Sequence, residues 1–184
     1  MKKINILLLI TAHLSFAQVD ELLLEFPKNP KFSKQFIKAV NEQKKEYELL
    51  FPNKKEEIKK YSATFILDKI DNDKQYGYLF IAEYWIAYNY NEIIIPLIER
   101  ITNKKEIGLI NSADLIIWER IESGDMKGYG HGAISKDDLF TIAGRANRLL
   151  TIISGENFGS VSMYSTEEEL VSLQNKWINW LKKI

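Results

Sequence analysis

Cysteine is absent from all 184 residues. No disulfide can staple the chain, no thiol can act as nucleophile or metal ligand, and no cysteine offers a lipid attachment point. Stability must come from a hydrophobic core. Histidine is almost absent, with only His13 and His131. A zinc site built on histidines is therefore not expected, and a Ser-His-Asp arrangement could use only His131. No Gly-x-Ser-x-Gly elbow, Walker loop, dinucleotide-binding glycine pattern or EF-hand loop occurs. Apart from a short apolar run at the start, no stretch approaches the ~20 apolar residues that span a bilayer. Neither sign of charge is in excess, with 25 basic and 25 acidic residues. That balance gives no electrostatic reason to expect nucleic acid as a partner. Glycine and proline are scarce, at nine and four.

What is present begins with an address. Lys2 and Lys3 precede an apolar run from Ile4 to Leu14, which ends in Ser15, Phe16 and Ala17 before Gln18. A basic start, a short apolar stretch and small residues together read as a signal peptide over 1–17, cleaved near Ala17-Gln18. The expected location is periplasmic or secreted, with no membrane insertion after the leader is removed. Removing seventeen residues leaves 167, enough for one domain with its own core over 18–184. The mature chain would hold 23 basic residues against 25 acidic. Lys28 to Lys60 is locally basic, with ten lysines against five glutamates, the usual make-up of a solvated helix face.

The glycines organise the rest. None precedes Gly77, and four fall between Gly124 and Gly132. Few breakers and many Leu, Ile, Lys and Glu favour helices. Asn29 and Pro30 read as an N-cap and first helical residue, followed by Phe32, Phe36, Val40, Tyr47 and Leu50 until Pro52. Asn53, with Glu56 three residues on, opens a second helix carrying Ile58, Tyr61, Phe65 and Ile70. Asp71 to Asp73 reads as a turn. Tyr76 to Tyr88 is apolar nearly all round, the mark of a central buried helix. Tyr88 to Asn91 reads as a tight connection into a helix with Ile94, Ile95, Leu97, Ile98 and Ile101, where Pro96 is tolerable only in the first turn. A further helix is expected over 112–121. Ser135 is expected to open the next, with Leu139, Ile142, Ala143, Ala146, Leu149, Leu150 and Ile153 inward and Gly155 as its C-terminal cap. Ser165 and Thr166, with Glu168 and Glu169, offer two overlapping capping boxes before a stripe of Leu170, Leu173, Trp177, Trp180 and Ile184. The expected fold is all-α: an irregular helical bundle or short α-solenoid of about seven helices.

Two stretches carry a resemblance. Glu92 to Ile101 resembles the second helix of a HEAT-type repeat, with an early proline before a Leu/Ile-rich face and the helix through Trp85 as its first member. Leu149 to Gly159, followed by Trp177 and Trp180, is similar to the closing segment of exported bacterial HEAT-like proteins. The likeness covers about 75–184. The leader ending in Phe16-Ala17-Gln18 also resembles those of small exported proteins from Bacteroidetes-type bacteria. The resemblance implies a scaffold or binding surface and carries no catalytic residues.

Candidate site residues are few. Gly128-Tyr129-Gly130-His131-Gly132 would let backbone amides approach a ligand beside an imidazole that titrates near neutrality. The bland reading is an ordinary irregular loop. Glu83 lies within the most apolar helix and must pair, be protonated or reach the surface, with Arg100 or Arg120 as expected partner. Arg145 and Arg148 fall on the polar side of their helix, where they could grip an anion or simply face water. Tyr76, Tyr78, Tyr84, Trp85, Tyr88 and Tyr90 suit sugar or peptide contacts, yet at least four of the six are expected in the core. Trp177 and Trp180 read as an anchor for the last helix. No cofactor or metal is implied. The expected function is an exported helical binding or scaffold protein whose partner is another protein, in one form an immunity-type inhibitor. The alternative is an envelope-acting hydrolase using His131.

Overall fold

In the computed structural model, residues 26–27, 30–75, 77–108 and 137–184 are described. Six α-helices occur among them: α1 (Lys34–Leu50), α2 (Lys55–Ile58), α3 (Ala63–Asn72), α4 (Gly77–Glu99), α5 (Ile142–Ser154) and α6 (Glu167–Leu181). The chain is all-α. Its only β-type pairing among the described residues is the bridge between Glu106 and Thr141. The leader 1–17, the expected helix over 112–121 and the glycine-rich loop lie outside the described residues.

Helix α4 is the axis, and α1, α3, α5 and α6 all pack on it. That explains its composition: with neighbours on most sides, Leu79, Ala82, Tyr84, Trp85, Ile86, Ala87, Ile93, Ile94, Leu97 and Ile98 are all buried. The expected connection at Tyr88–Asn91 shrinks to one residue. Asn89 alone leaves helical geometry, at φ −129° and ψ 32°, so two helical halves meet at a kink. The Asn89 side-chain amide donates to Trp85 O at 3.2 Å, supplying a partner where the backbone ladder is broken. Pro96 therefore stands beyond the first turn of the second half, contrary to expectation. The helix tightens into a 3₁₀ turn at Arg100–Thr102. Gln174 of α6 donates to Ile98 O at 2.9 Å and so serves one of the terminal carbonyls of α4.

Side-chain oxygens decide where the other helices start. Ser33, not Asn29, caps α1 by accepting from Phe36 N at 3.1 Å, so the helix begins four residues beyond Pro30. Its inward residues Phe36, Val40 and Tyr47 share one face. The single helix expected from Asn53 is instead two. Lys54 caps α2 without a side-chain bond, and Ser62 opens α3 by accepting from Phe65 N at 3.1 Å. Ser135 does not open α5; Thr141 does, accepting from Gly144 N at 3.1 Å. The two preceding amides of α5, on Ile142 and Ala143, donate to Lys105 O and Asn103 O. Those bonds satisfy the orphan donors of its first turn. Gly144 is required there, because a Cβ would fall 1.9 Å from Asp138 O. Gly155 closes α5 in the left-handed region at φ +71°, as expected. Of the two possible capping boxes, Thr166 with Glu169 forms, while Ser165 Oγ accepts from Ser162 N.

The last helix is held by its tryptophans. Trp177 and Trp180 are buried and meet edge to face at 5.5 Å. Trp177 Nε1 donates to Asn147 Oδ1 at 2.8 Å, inside the core between α5 and α6. Arg100 forks onto Asp71 with bonds of 2.8 and 2.7 Å, tying the end of α4 to α3.

Candidate functional site

The buried charges come first, because they are the costliest groups to place. Glu83 projects from α4 between α1 and α5 and is only 7% exposed. Tyr47 Oη of α1 donates to its Oε2 at 2.8 Å, and Arg148 Nε of α5 lies 3.4 Å from its Oε1. The partner is thus Arg148. Arg100 is engaged by Asp71, and Arg120 lies outside the described residues. Burial pushes the Glu83 carboxyl above its ordinary range, while Arg148 and the Tyr47 hydroxyl pull the other way. Burial first, and then the Glu83 charge, raise the Tyr47 phenol. Gln43 donates to Ile152 O beside this group, adding a second polar tie between α1 and α5. The surface grooves described below do not reach the cluster. Its evident work is to set α1 and α5 in register on α4.

Arg145 corrects the sequence reading most sharply. It does not face water but is 2% exposed. Its guanidinium donates to four backbone carbonyls: Leu139 O at 2.9 Å, Ile70 O at 3.1 Å, Asp73 O at 2.6 Å and Gly108 O at 3.0 Å. Burial holds its pKa below the ordinary arginine value. Four of the five N–H donors of the fork are used on the protein's own backbone. Tyr129 and His131 lie outside the described residues. Of the five candidates, the structure brings Glu83 and Arg148 together and gives Arg145 a separate structural task.

Of the aromatic set, Tyr84 and Trp85 are buried and Tyr88 and Tyr90 pack against the core. Tyr88 donates to Glu48 Oε1 on α1, which Lys55 also meets at 2.9 Å. These tyrosines fill the bundle and join its helices.

The surface offers a different site, which the sequence reading missed. Phe140, Met163 and Tyr164 are large apolar side chains left 53, 69 and 83% exposed. They line one groove of about 610 Å³ with Val161. Its polar lining is Ser162, Glu106, Asp137 and Asp138, and no lysine or arginine is among the described lining residues. The groove is rigidly framed. Ile107 N donates to Phe140 O at 2.7 Å, and Asp138 N donates to Val161 O at 2.8 Å. Asp137 accepts from Asn147 Nδ2 at 2.7 Å and from Val161 N at 2.9 Å, which turns it inward. Its carboxyl is raised by burial against those two bonds. Ser162 also lines a second groove of about 500 Å³ that includes Glu168, Glu169 and Lys176. One signal for this surface was available. Met163 and Tyr164 stand in a serine-rich loop and belong to no helical stripe.

Among the described residues, no group of three or more His, Asp or Glu side chains is placed to hold a metal ion. No helix among them is long and apolar enough to cross a membrane. No family model, curated protein or solved structure matches the chain.

Proposed function

We propose that this is an exported binding protein that recognises another protein through the groove of Phe140, Met163 and Tyr164. The carrying observation is the exposure of three large apolar side chains side by side on a braced loop frame. Exposed apolar patches rimmed by polar residues recur at protein interaction sites. Aromatic and methionine side chains are also enriched at the centres of protein interfaces. The charged groups inside the bundle fit this reading, because Arg145 binds backbone carbonyls and Glu83 lies against Arg148, all away from the groove. The HEAT-type resemblance over about 75–184 belongs to this proposal: stacked helices act as a scaffold that presents a recognition surface.

Export rests on the leader. N-terminal sequencing of the protein recovered from the envelope or medium should begin at Gln18, and recovery of the uncleaved chain would refute it. Recognition is tested by placing a photo-reactive benzoyl-phenylalanine at Tyr164 in the producing cells. Irradiation should yield an adduct with a second, different protein. The same probe at exposed Lys60 should not. No adduct at position 164 would end the proposal.

A further inference from the structure

We infer that the partner presents a cationic amphipathic segment: an aliphatic or aromatic side chain set among Phe140, Met163 and Tyr164, with Lys or Arg on either side. The inference rests on the groove being a binding surface and adds the chemistry of what it takes.

The argument is one of charge left over. Among the described residues lining the groove and the two cavities beside it, five carboxylates face two lysines. Glu106, Asp137 and Asp138 line the groove itself, and Glu168 stands across Ser162 on the adjoining one. Two lysines border this region and keep their charge while bonded to backbone carbonyls, Lys104 in a small cavity it shares with Glu106, Asp138 and Met163. Lys104 Nζ donates to Ser165 O at 2.7 Å, and Lys176 Nζ donates to Phe158 O at 3.2 Å. Glu169 is engaged in its capping box. Asp138 spends one oxygen on Phe140 N at 3.1 Å, and Glu168 is bonded by its own amide and by Thr166, which hold it in the charged form beside Glu106. Complementary charge across an interface steers encounter and fixes register more than it adds raw affinity. An anionic segment would meet like charge along the groove's lining, whereas a cationic one would meet a counter-charge.

The chain's own sequence fits this site poorly. Residues 109–136 carry four acidic residues against three basic ones. A second copy could offer its lysine-rich α1 face, with Lys34, Lys38 and Lys45. That contact joins unlike surfaces and so builds rings or open chains rather than a two-fold dimer. A foreign cationic segment is the occupant that satisfies both the apolar floor and the acidic rim.

The test uses the mature full-length chain and three fluorescein-labelled peptides followed by anisotropy: KLKWLKLK, its acidic counterpart ELEWLELE, and the cationic but non-apolar KSKSSKSK. KLKWLKLK should bind at least about tenfold more tightly than either of the others. Its affinity should fall severalfold as sodium chloride rises from about 50 mM to about 300 mM, because exposed charges are screened. Glu106→Lys with Glu168→Lys should weaken it about tenfold, and Tyr164→Ser should abolish it. Tyr164→Ser removes an exposed side chain and leaves the fold intact, which circular dichroism checks directly.

Equal or tighter binding of ELEWLELE, with loss on Tyr164→Ser, would overturn the cationic partner and leave the groove standing. Binding by none of the peptides would overturn the inference. If the photo-probe at Tyr164 also reacted only with residues 109–136 of the same chain, the reading of the groove as a protein-binding surface would fall with it. Reaction with a second copy would replace the foreign partner by self-association.

Discussion

Replacing Arg145 by methionine should cost the fold about 3–4 kcal/mol. The side chain donates to four carbonyls drawn from the end of α3, from Gly108, and from the turn before α5. Two of them, on Leu139 and Ile70, are buried, and each stranded acceptor costs about 1–3 kcal/mol. The other two are partly buried, so water can replace the lost donor and they add less. Removing the guanidinium also returns its own desolvation cost, which offsets part of the sum. At about 2–4 °C per kcal/mol for a chain of this size, the melting temperature should drop by about 10 °C. The assay is urea unfolding followed by tryptophan fluorescence and by far-ultraviolet circular dichroism, with the slope against urea unchanged. Arg145→Lys should be nearly as damaging, since an ammonium lacks the planar fork that reaches carbonyls on several sides. A methionine variant within about 1 kcal/mol of the parent would refute the reasoning, and a lysine variant equal to the parent would refute the role of the fork.

Three further outcomes follow from the same geometry. Gly155→Ala should cost about 1 kcal/mol in thermal unfolding, purely through its left-handed backbone, because nothing lies within 4 Å of the new methyl group. Gly144→Ala should cost clearly more, because its Cβ would overlap Asp138 O; equal losses at the two sites would contradict this. Trp177→Phe strands Asn147 Oδ1 in the core and should lose about 1–3 kcal/mol by urea titration, with no loss counting against that bond. Burial raises the Glu83 carboxyl in the folded chain, so the folded state holds that proton more tightly than the unfolded one. Its contribution is full below the ordinary carboxyl value of 4.5 and is lost as pH rises through the folded value. The stability of the parent relative to Glu83→Gln should therefore decline as pH climbs from about 4.5. A relative gain with pH would show that Arg148 outweighs burial.

Much of the architecture was legible because it is written in local chemistry. Thr166 with Glu169 and Gly155 each act within one turn, and their sequence spacing alone announces the cap. The apolar run around Trp85 named the central helix, because only a helix surrounded by neighbours needs such a composition. The starts of α1 and α3 were misplaced for a reason of competition. Asn29 and Asn53 are able caps, but Ser33 and Ser62 stand directly before the inward residues they serve. Arg145 was misread because periodicity tells which face of a helix is polar, not whether distant carbonyls wait on that side. Glu83 was read correctly as a group needing a partner. Choosing Arg148 over Arg100 required knowing that α5 lies beside α4 and that Asp71 already holds Arg100. The groove escaped notice because its members come from three separate chain segments that only the fold brings together.

Ile107 and Gly108 both donate to Phe140 O, while Lys105 O and Asn103 O accept from the opening amides of α5. Position 108 and position 137 are consequently near neighbours, clasped by bonds that belong to the bundle. Whatever length of polypeptide is inserted between them, its ends are already closed by the scaffold. Doubling such an insertion adds only about 0.6 kcal/mol of closure entropy. The clasp thus holds positions 108 and 137 together through bonds made by the described residues alone.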